Sequence, residues 1–252
     1  MKLATWNVNS LKARLDHVQQ WLAEAQPDIV GLQETKTIDE NFPHEAIAET
    51  GYHVVRYGQK SYNGVALLSR ETEPDAVWTG LSDGQARVIA ATIGSVRVVN
   101  CYVVNGQSVG SDKYDFKLRW LEELQARIAQ EIREHPHVVV MGDFNIAPFR
   151  EDTHDPDKWE GHILCSDAER AALQGLMDLG LVDAFDAERD GDNRFTWWDY
   201  RAAGFRRNLG LRIDHILLSP ALHTQVRSWA VDKIPRKWEK PSDHAPVIVE
   251  LG

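Results

Sequence analysis

Cysteine is scarce in this chain. The 2 present, Cys101 and Cys165, have no close spacing, so neither a disulfide framework nor a thiolate zinc site is expected. A reducing cytoplasm is the expected compartment. Long apolar runs are missing as well. Nothing approaches the ~18 residues of a membrane span, and the opening Met-Lys-Leu-Ala-Thr-Trp-Asn turns polar too soon for a secretory signal. No membrane partner is expected. Positive charge is also short: 28 Lys+Arg against 38 Asp+Glu leave a formal net charge of -10. That argues against a protein that coats nucleic acid by bulk charge, which is usually basic. It does not exclude an enzyme with a local basic rim, since exposed charges more than about 8 Å apart are largely screened at physiological salt. There is no low-complexity segment, flexible linker or tandem repeat, and 252 residues suffice for one large domain with a sizeable core.

What is present is a set of short apolar runs that end in polar residues. The clearest is Val138-Val139-Val140-Met141-Gly142-Asp143-Phe144-Asn145. It has strand length, breaks at Gly142, and offers a carboxylate and a carboxamide two residues apart. Side chains two apart in extended chain face the same way, so Asp143 and Asn145 are delivered together. Further strands are predicted at 3–7, 29–33, 53–57, 64–69, around 77, 87–93, 96–102, 196–198, 213–218, 227–231 and 247–251. A helix is predicted from near Ser10 to the stop at Pro27, with Leu11, Leu15, Val18, Leu22 and Ala25 at helical spacing. A short one follows at 43–50, a long one at 116–133, and one at 166–179 opened by the capping box Ser166-Asp167-Ala168-Glu169. Residues 151–166 have no period and read as a long surface loop, a kind of segment that is often functional. Strands dominate, which predicts an α/β sandwich of two packed sheets with helices outside.

Six of these strand ends carry groups fit for one site: Asn7, Glu34, Tyr102, the pair Asp143 and Asn145, Asp214, and the pair Asp243 and His244. If they converge, four carboxylates meet. Two of them about 4 Å apart repel by roughly 4 kcal/mol at an effective dielectric near 20. Such a cluster needs protons, cationic side chains or a metal. Its donors are oxygens, with no thiol, which favours Mg²⁺ with Mn²⁺ as a substitute over Zn²⁺, and points to phosphoryl chemistry. His244 beside Asp243, with Asp214 available elsewhere, supplies an imidazole that a carboxylate can orient.

The segments Asn7-Val8-Asn9, Leu32-Gln33-Glu34-Thr35-Lys36, Gly142-Asp143-Phe144-Asn145, Gly210-Leu211-Arg212-Ile213-Asp214 and Pro241-Ser242-Asp243-His244-Ala245-Pro246 resemble the signatures of the bacterial exonuclease III family. This is a branch of the endonuclease/exonuclease/phosphatase superfamily. Phe195-Thr196-Trp197-Trp198-Asp199-Tyr200-Arg201 is similar to a further element of the abasic-endonuclease branch. The resemblance implies a four-layered α/β sandwich with two mixed sheets flanked by helices. It implies Mg²⁺-dependent hydrolysis of phosphodiesters in duplex DNA: removal of nucleotides from 3′ ends, clearing of blocked 3′ termini, and incision 5′ of abasic sites. Glu34 with Asn7 or Asp243 would hold the metal. Asp143 would activate or orient water, helped by Asn145, and His244 paired with Asp214 would contact the scissile phosphate. Tyr102 would bond a phosphate oxygen. Descriptions with one and with two metals differ, so Asp143, Asn145 and His244 also stand as second-metal ligands.

For DNA, the resemblance implies an apolar pocket of Trp197, Trp198 and Leu211 for a flipped abasic sugar. Asn9, Lys36, Arg87, Lys113 and Arg201 are candidate contacts, with Lys117, Arg206, Arg207, Lys237 and Lys240 behind them. The expected partner is double-stranded DNA with abasic sites, nicks or 3′ ends, bound by a monomer. Two rivals stay open: a phosphatase or sphingomyelinase-like phosphodiesterase of the same superfamily, and a catalytically silent DNA-binding module.

Overall fold

The computed structural model describes residues 1–191 and 193–252. The strands in chain order are β1 Lys2–Asn7, β2 Ile29–Gln33, β3 His53–Tyr57, β4 Val65–Ser69, β5 Asp75–Thr79, β6 Val88–Ile93 and β7 Val96–Tyr102. They continue with β8 Val138–Asp143, β9 Val182–Asp183, β10 Trp197–Trp198, β11 Gly210–Leu211, β12 Asp214–Leu218, β13 Val226–Val231 and β14 Val247–Leu251. The helices are α1 Leu15–Ala25, α2 His44–Ala48, α3 Asp112–Glu134, α4 Pro156–Trp159, α5 Asp167–Met177, α6 Ala187–Asp190 and α7 Pro220–His223.

One six-stranded sheet runs β13-β14-β1-β2-β4-β3 and the other β5-β6-β7-β8-β12-β9; β10 and β11 form a separate ribbon. Both large sheets are mixed, with the parallel pairs β1/β2 and β7/β8 among antiparallel neighbours. The central strands alternate their side chains between two dry faces. Leu3, Ile29, Val98, Val139, Met141 and Ile216 meet between the sheets. Trp6, Val30 and Leu68 face α1 and α2, represented by Trp21, Leu22 and Ile47. Val99, Val138 and Val140 face α3 and α5, represented by Trp120, Leu124 and Leu173. Three apolar layers between four layers of structure make the expected four-layered sandwich.

The stack is pinned by a polar stitch. Asn100 on β7 donates across the gap to Leu32 O and Ala66 O, both at 2.9 Å, and accepts from Gln33 Nε2 at 2.6 Å. Gly31 makes room for it, since a Cβ there would sit 2.8 Å from the Asn100 carboxamide. A buried amide left unpaired costs about 1–3 kcal/mol, so the stitch specifies one way of stacking the sheets.

Three predicted elements differ. The first helix starts at Leu15 rather than near Ser10, because Ser10 N and Leu11 N bond Glu34 O and Thr35 O instead of entering a helix. Leu11 is buried, but outside the helix. The long helix opens a turn early, at Asp112, capped by the Ser111 hydroxyl, which accepts from Tyr114 N. Residues 151–166 are not structureless. They hold α4, with Pro156 in its first turn and the Asp155 side chain as cap, and Thr153 bridges Leu211. A four-residue helix is too short to show a period.

Candidate active site

The two-residue alternation decides what sits at the top of the inter-sheet layer. On β8, Val139 and Met141 face between the sheets, so Asp143 does too. Tyr102 and Asp214 lie directly beside Asp143 in the register, one from β7 and one from β12. Asn7 faces the same layer from the end of β1. Gly142 allows this close row: its φ is +147°, and a Cβ there would stand 1.8 Å from Cys101 O. The connecting backbone is strained where it turns into the site. Asn9, Ser10, Glu34, Lys36 and Asn145 all take positive φ, between 44° and 89°. Such strain collects at functional sites and persists only where the surroundings hold it.

Asn7 is the hub. Its Nδ2 donates at 2.9 Å to both Glu34 Oε1 and Asp143 Oδ2, joining one sheet to the other, while its Oδ1 accepts from Asn9 N at 3.0 Å. Asn9 carries the link onward, donating from Nδ2 to Asp243 Oδ1 at 3.0 Å. Asp243 also receives Trp197 Nε1 at 3.0 Å. Lys36 Nζ lies 2.8 Å from Glu34 Oε2 and donates to Asn9 Oδ1 at 2.6 Å. Asn145 touches Asp143 through its backbone: Asn145 N donates to Asp143 Oδ1 at 2.9 Å. Its carboxamide is engaged elsewhere, donating to Val103 O and accepting from Asn105 Nδ2.

His244 Nδ1 lies 2.9 Å from Asp214 Oδ2, and its Nε2 faces Asp143 Oδ2 at 3.6 Å. Thr196 locks the other end of this chain, donating to Asp214 Oδ2 at 2.6 Å and accepting from Ile213 N and Asp214 N. Backbone bonds from Trp198 N to Asp243 O and from Ala245 N to Thr196 O lay the two motifs side by side. Ser242 ties the turn to β1, donating to Asn7 O and accepting from His244 N. Thr196 and Ser242 lie inside quoted motifs but were not among the candidate residues. Neither was Asn105. Among the described residues, Asp143, Asp214 and His244 present donor atoms all within 4.8 Å of one another, a buried cluster able to take a divalent ion.

Charge is unevenly compensated here. Burial drives Asp143 up to about 7, opposed by His244 and reinforced by Asp214. Burial disfavours a charged His244, but Asp214 and Asp143 outweigh it and raise the imidazole to about 10. Burial works against Glu34, yet its bonds to Lys36 and Asn7 prevail and hold it below the usual carboxylate range. Asp243 is likewise held down, by His244, Trp197 and Asn9 against burial. Burial, then Glu34 and Asp143, push the Tyr102 phenol well up, so it stays protonated.

The proposed DNA contacts divide. Trp197 is half-buried beside Asp243, but its neighbour Trp198 points to the opposite side of the ribbon. Trp198 is fully buried against Phe205, with its Nε1 donating to Asn208. Leu211 is also fully buried, packed with Ile213, Leu164 and Trp197. Neither can line an open pocket in this arrangement, which corrects the expectation. Trp159 and Ile163 from the 151–166 segment pack there with Trp197 instead. Lys117 is no phosphate contact: it is fully buried and paired with Glu169. Arg87 lies over the Tyr102 ring, 4.8 Å from its centroid. Lys113, Arg201, Arg206, Arg207, Lys237 and Lys240 are exposed. An open groove of about 830 Å³ beside the site carries Lys12, Lys36 and Lys60.

The two raised groups fix a pH dependence. Asp143 moves from 3.8 to about 7 and His244 from 6.5 to about 10, so the folded chain holds more protons than the unfolded one across that span. Their stabilisation is complete below the unfolded values and is lost as pH rises through the folded ones. In chelator, the thermal unfolding midpoint is expected to be lower at about pH 9 than at about pH 6. A midpoint that is flat or rises over that interval contradicts the protonated His244 arrangement.

The whole chain has close counterparts. The profile of the Endonuclease/Exonuclease/phosphatase family matches residues 4–244. The chain is 38% identical over 267 residues to exodeoxyribonuclease III of Haemophilus influenzae, covering 100% of both. It superposes on the 3′ phosphatase NExo from Neisseria bound to a product DNA hairpin with a TM-score of 0.97 and 47% identity, covering 100% of this chain and 99% of that one. An AP endonuclease from Archaeoglobus fulgidus gives a TM-score of 0.95 at 39% identity, with the same coverage. The chain belongs to the endonuclease/exonuclease/phosphatase family, as an exonuclease III/AP-endonuclease-like member.

Proposed function

We propose that the chain is a Mg²⁺-dependent DNA-repair nuclease that acts on duplex DNA at 3′ ends and abasic sites. The observation that carries this reading is the Asn7 amide spanning Glu34 and Asp143, beside the His244–Asp214–Thr196 chain. Family membership and the buried Asp143–Asp214–His244 cluster make it a nuclease of the 3′–5′ exonuclease and AP-endonuclease type. Working as a monomer in a reducing cytoplasm is part of the same proposal, and the two buried free cysteines fit it.

The donor chemistry fits a hard cation. Glu34, Asp143 and Asp243 are linked to one another through the Asn7 and Asn9 carboxamides, and burial pushes Asp143 up against the pull of His244. Glu34, with Asn7 or Asp243, would hold Mg²⁺. The Asp143–Asp214–His244 cluster is the poorer first site, because its imidazole is committed to Asp214 and favours the imidazolium form, which has no lone pair to give. When bound, Mg²⁺ supplies charge neutralisation at the phosphoryl oxygens and at the developing alkoxide.

The chain's own groups then have distinct tasks. Asp143, its Oδ1 held by Asn145 N and its Oδ2 by Asn7, accepts a proton from the attacking water or orients it. His244, held by Asp214, donates from Nε2 to a phosphate oxygen. The protonated Tyr102 phenol donates to another. Phosphoryl transfer is mostly positioning plus charge stabilisation, and this set supplies both. On a 3′-hydroxyl duplex, Asp143→Asn is expected to stay folded and lose about 10²–10³-fold or more in kcat. Near-wild-type turnover by that variant removes Asp143 from the mechanism.

The balance of activities rests on the 151–166 segment. Trp159, Ile163 and Trp197 pack against one apolar cluster with Leu164 and Leu211, and His162 stands exposed on the turn between Trp159 and Ile163. We propose that this wall narrows the space for an internal abasic sugar and leaves 3′-end removal intact. End-labelled duplexes with an internal abasic analogue, a 3′-phosphate nick or a plain 3′-hydroxyl, each in Mg²⁺ and in chelator, test it. The 3′-phosphate is expected to be cleared about tenfold or more faster than the abasic site is cut, with both lost in chelator. Equal high rates reject the narrowed pocket.

A further inference from the structure

Helices α3 and α5 bury between them a charged pair that has no place in the chemistry described so far. Lys117 and Glu169 are both fully buried, and their side chains form an ion pair. Lys117 Nζ also donates to Asn145 O at 2.7 Å and to Asn105 O at 3.2 Å. Glu169 uses its remaining capacity on the other side. Its Oε1 accepts from Leu164 N at 3.0 Å, and its Oε2 from Ser166 N at 3.1 Å and Ser166 Oγ at 2.6 Å. Every group of the pair is spent on backbone or on hydroxyls that cap backbone.

We infer that Lys117 is a positioning residue for hydrolysis, holding the Asn145 carbonyl so that the Asn145 amide stays on Asp143, with Glu169 as its buried counter-ion. This rests on the reading of Asp143 given above. The argument starts from cost. A desolvated ion pair is commonly no more stabilising than an apolar pair of the same volume, so stability alone does not account for it. What the pair does is geometric. Asn145 sits at φ +51°, a left-handed backbone that asparagine tolerates and that outside contacts can fix. Its amide is a hydrogen-bond donor to Asp143 Oδ1, its carboxamide is fixed by Val103 and Asn105, and its carbonyl is fixed by Lys117. Asn105 is itself gripped by the same ammonium through its own carbonyl. Asn145 is thus clamped at every polar atom. The same pair straps the end of the 151–166 segment, since Leu164 O accepts from Ala147 N two residues beyond Asn145. One buried charge therefore couples the turn that orients Asp143 to the wall beside Trp197.

The test uses the full chain and a 3′-hydroxyl duplex in Mg²⁺. Lys117→Met with Glu169→Met removes both charges at similar length and leaves no orphan ion, and Glu169→Gln serves as the second variant. The double variant is expected to fold with an unchanged far-UV spectrum and to lose about thirtyfold in kcat with KM within about twofold. Its Asn145 side-chain amide resonances are expected to shift while those of Asn100 stay in place. Glu169→Gln, which leaves Lys117 on Asn145 O, is expected to keep kcat within about threefold. A folded double variant with wild-type kcat overturns the inference, as does a Glu169→Gln variant whose Asn145 amide resonances shift while kcat is unchanged, which alone decides if the double variant does not fold. Asp143→Asn run in parallel separates the two readings. If it is inactive while the double variant is active, only the role of Lys117 fails; if it is active, the role of Asp143 fails with it.

Discussion

One carboxamide bridges two carboxylates from the two sheets at the working end of this molecule. Asn7 comes from one sheet, Asp143 from the other, and Glu34 from the strand next to Asn7. One amide nitrogen bonds both carboxylates, and an amide can do this because it donates twice without adding charge. The packing below makes the contact possible. Asn100 and Gln33 fix how the sheets stack, and the alternation of β1, β7, β8 and β12 brings Asn7, Tyr102, Asp143 and Asp214 to one level.

Electrostatics makes this end of the molecule acidic at its centre. The chain carries a net charge of -10, and the site concentrates Glu34, Asp143, Asp214 and Asp243 against Lys36 and a protonated His244. Compensation is local and uneven. Against burial, Glu34 is held down by its bonds to Lys36 and Asn7, and Asp243 by the His244 charge and its bonds to Trp197 and Asn9, while burial raises Asp143 to about 7. A divalent ion held by these oxygens would lower the Asp143 carboxyl and favour its ionised form. Polar atoms that look decorative in isolation, such as the Thr196 and Ser242 hydroxyls, hold the orientations on which that depends.

Much of this was readable in the string of residues. The strands 53–57, 96–102 and 247–251 match β3, β7 and β14 to the residue, because apolar alternation bounded by turn residues marks both ends. The convergence of Asn7, Glu34, Asp143, Asp214, Asp243 and His244 was legible from residue type at strand ends, and from the motifs they sit in. The side a residue faces was not. Trp197 and Trp198 are adjacent, so one must point away from the other, and only the pairing of β10 with β11 and with His244 decides which meets the site. Lys117 misled for a related reason. A lysine on an amphipathic helix reads as solvated, and only Glu169, 52 residues on, explains its burial. The short helix α4 and the left-handed turns at Asn9 and Glu34 are set by contacts distant in sequence, which no local period records.

The position of the cation tests the central claim most directly. Anomalous diffraction from crystals soaked in Mn²⁺ locates the ion without reference to activity. The account predicts a peak on the Glu34 carboxylate, within reach of Asn7 and Asp243, with the His244–Asp214 hydrogen bond intact. A first peak between His244 and Asp214, with Glu34 uninvolved and still bonded to Lys36, contradicts it.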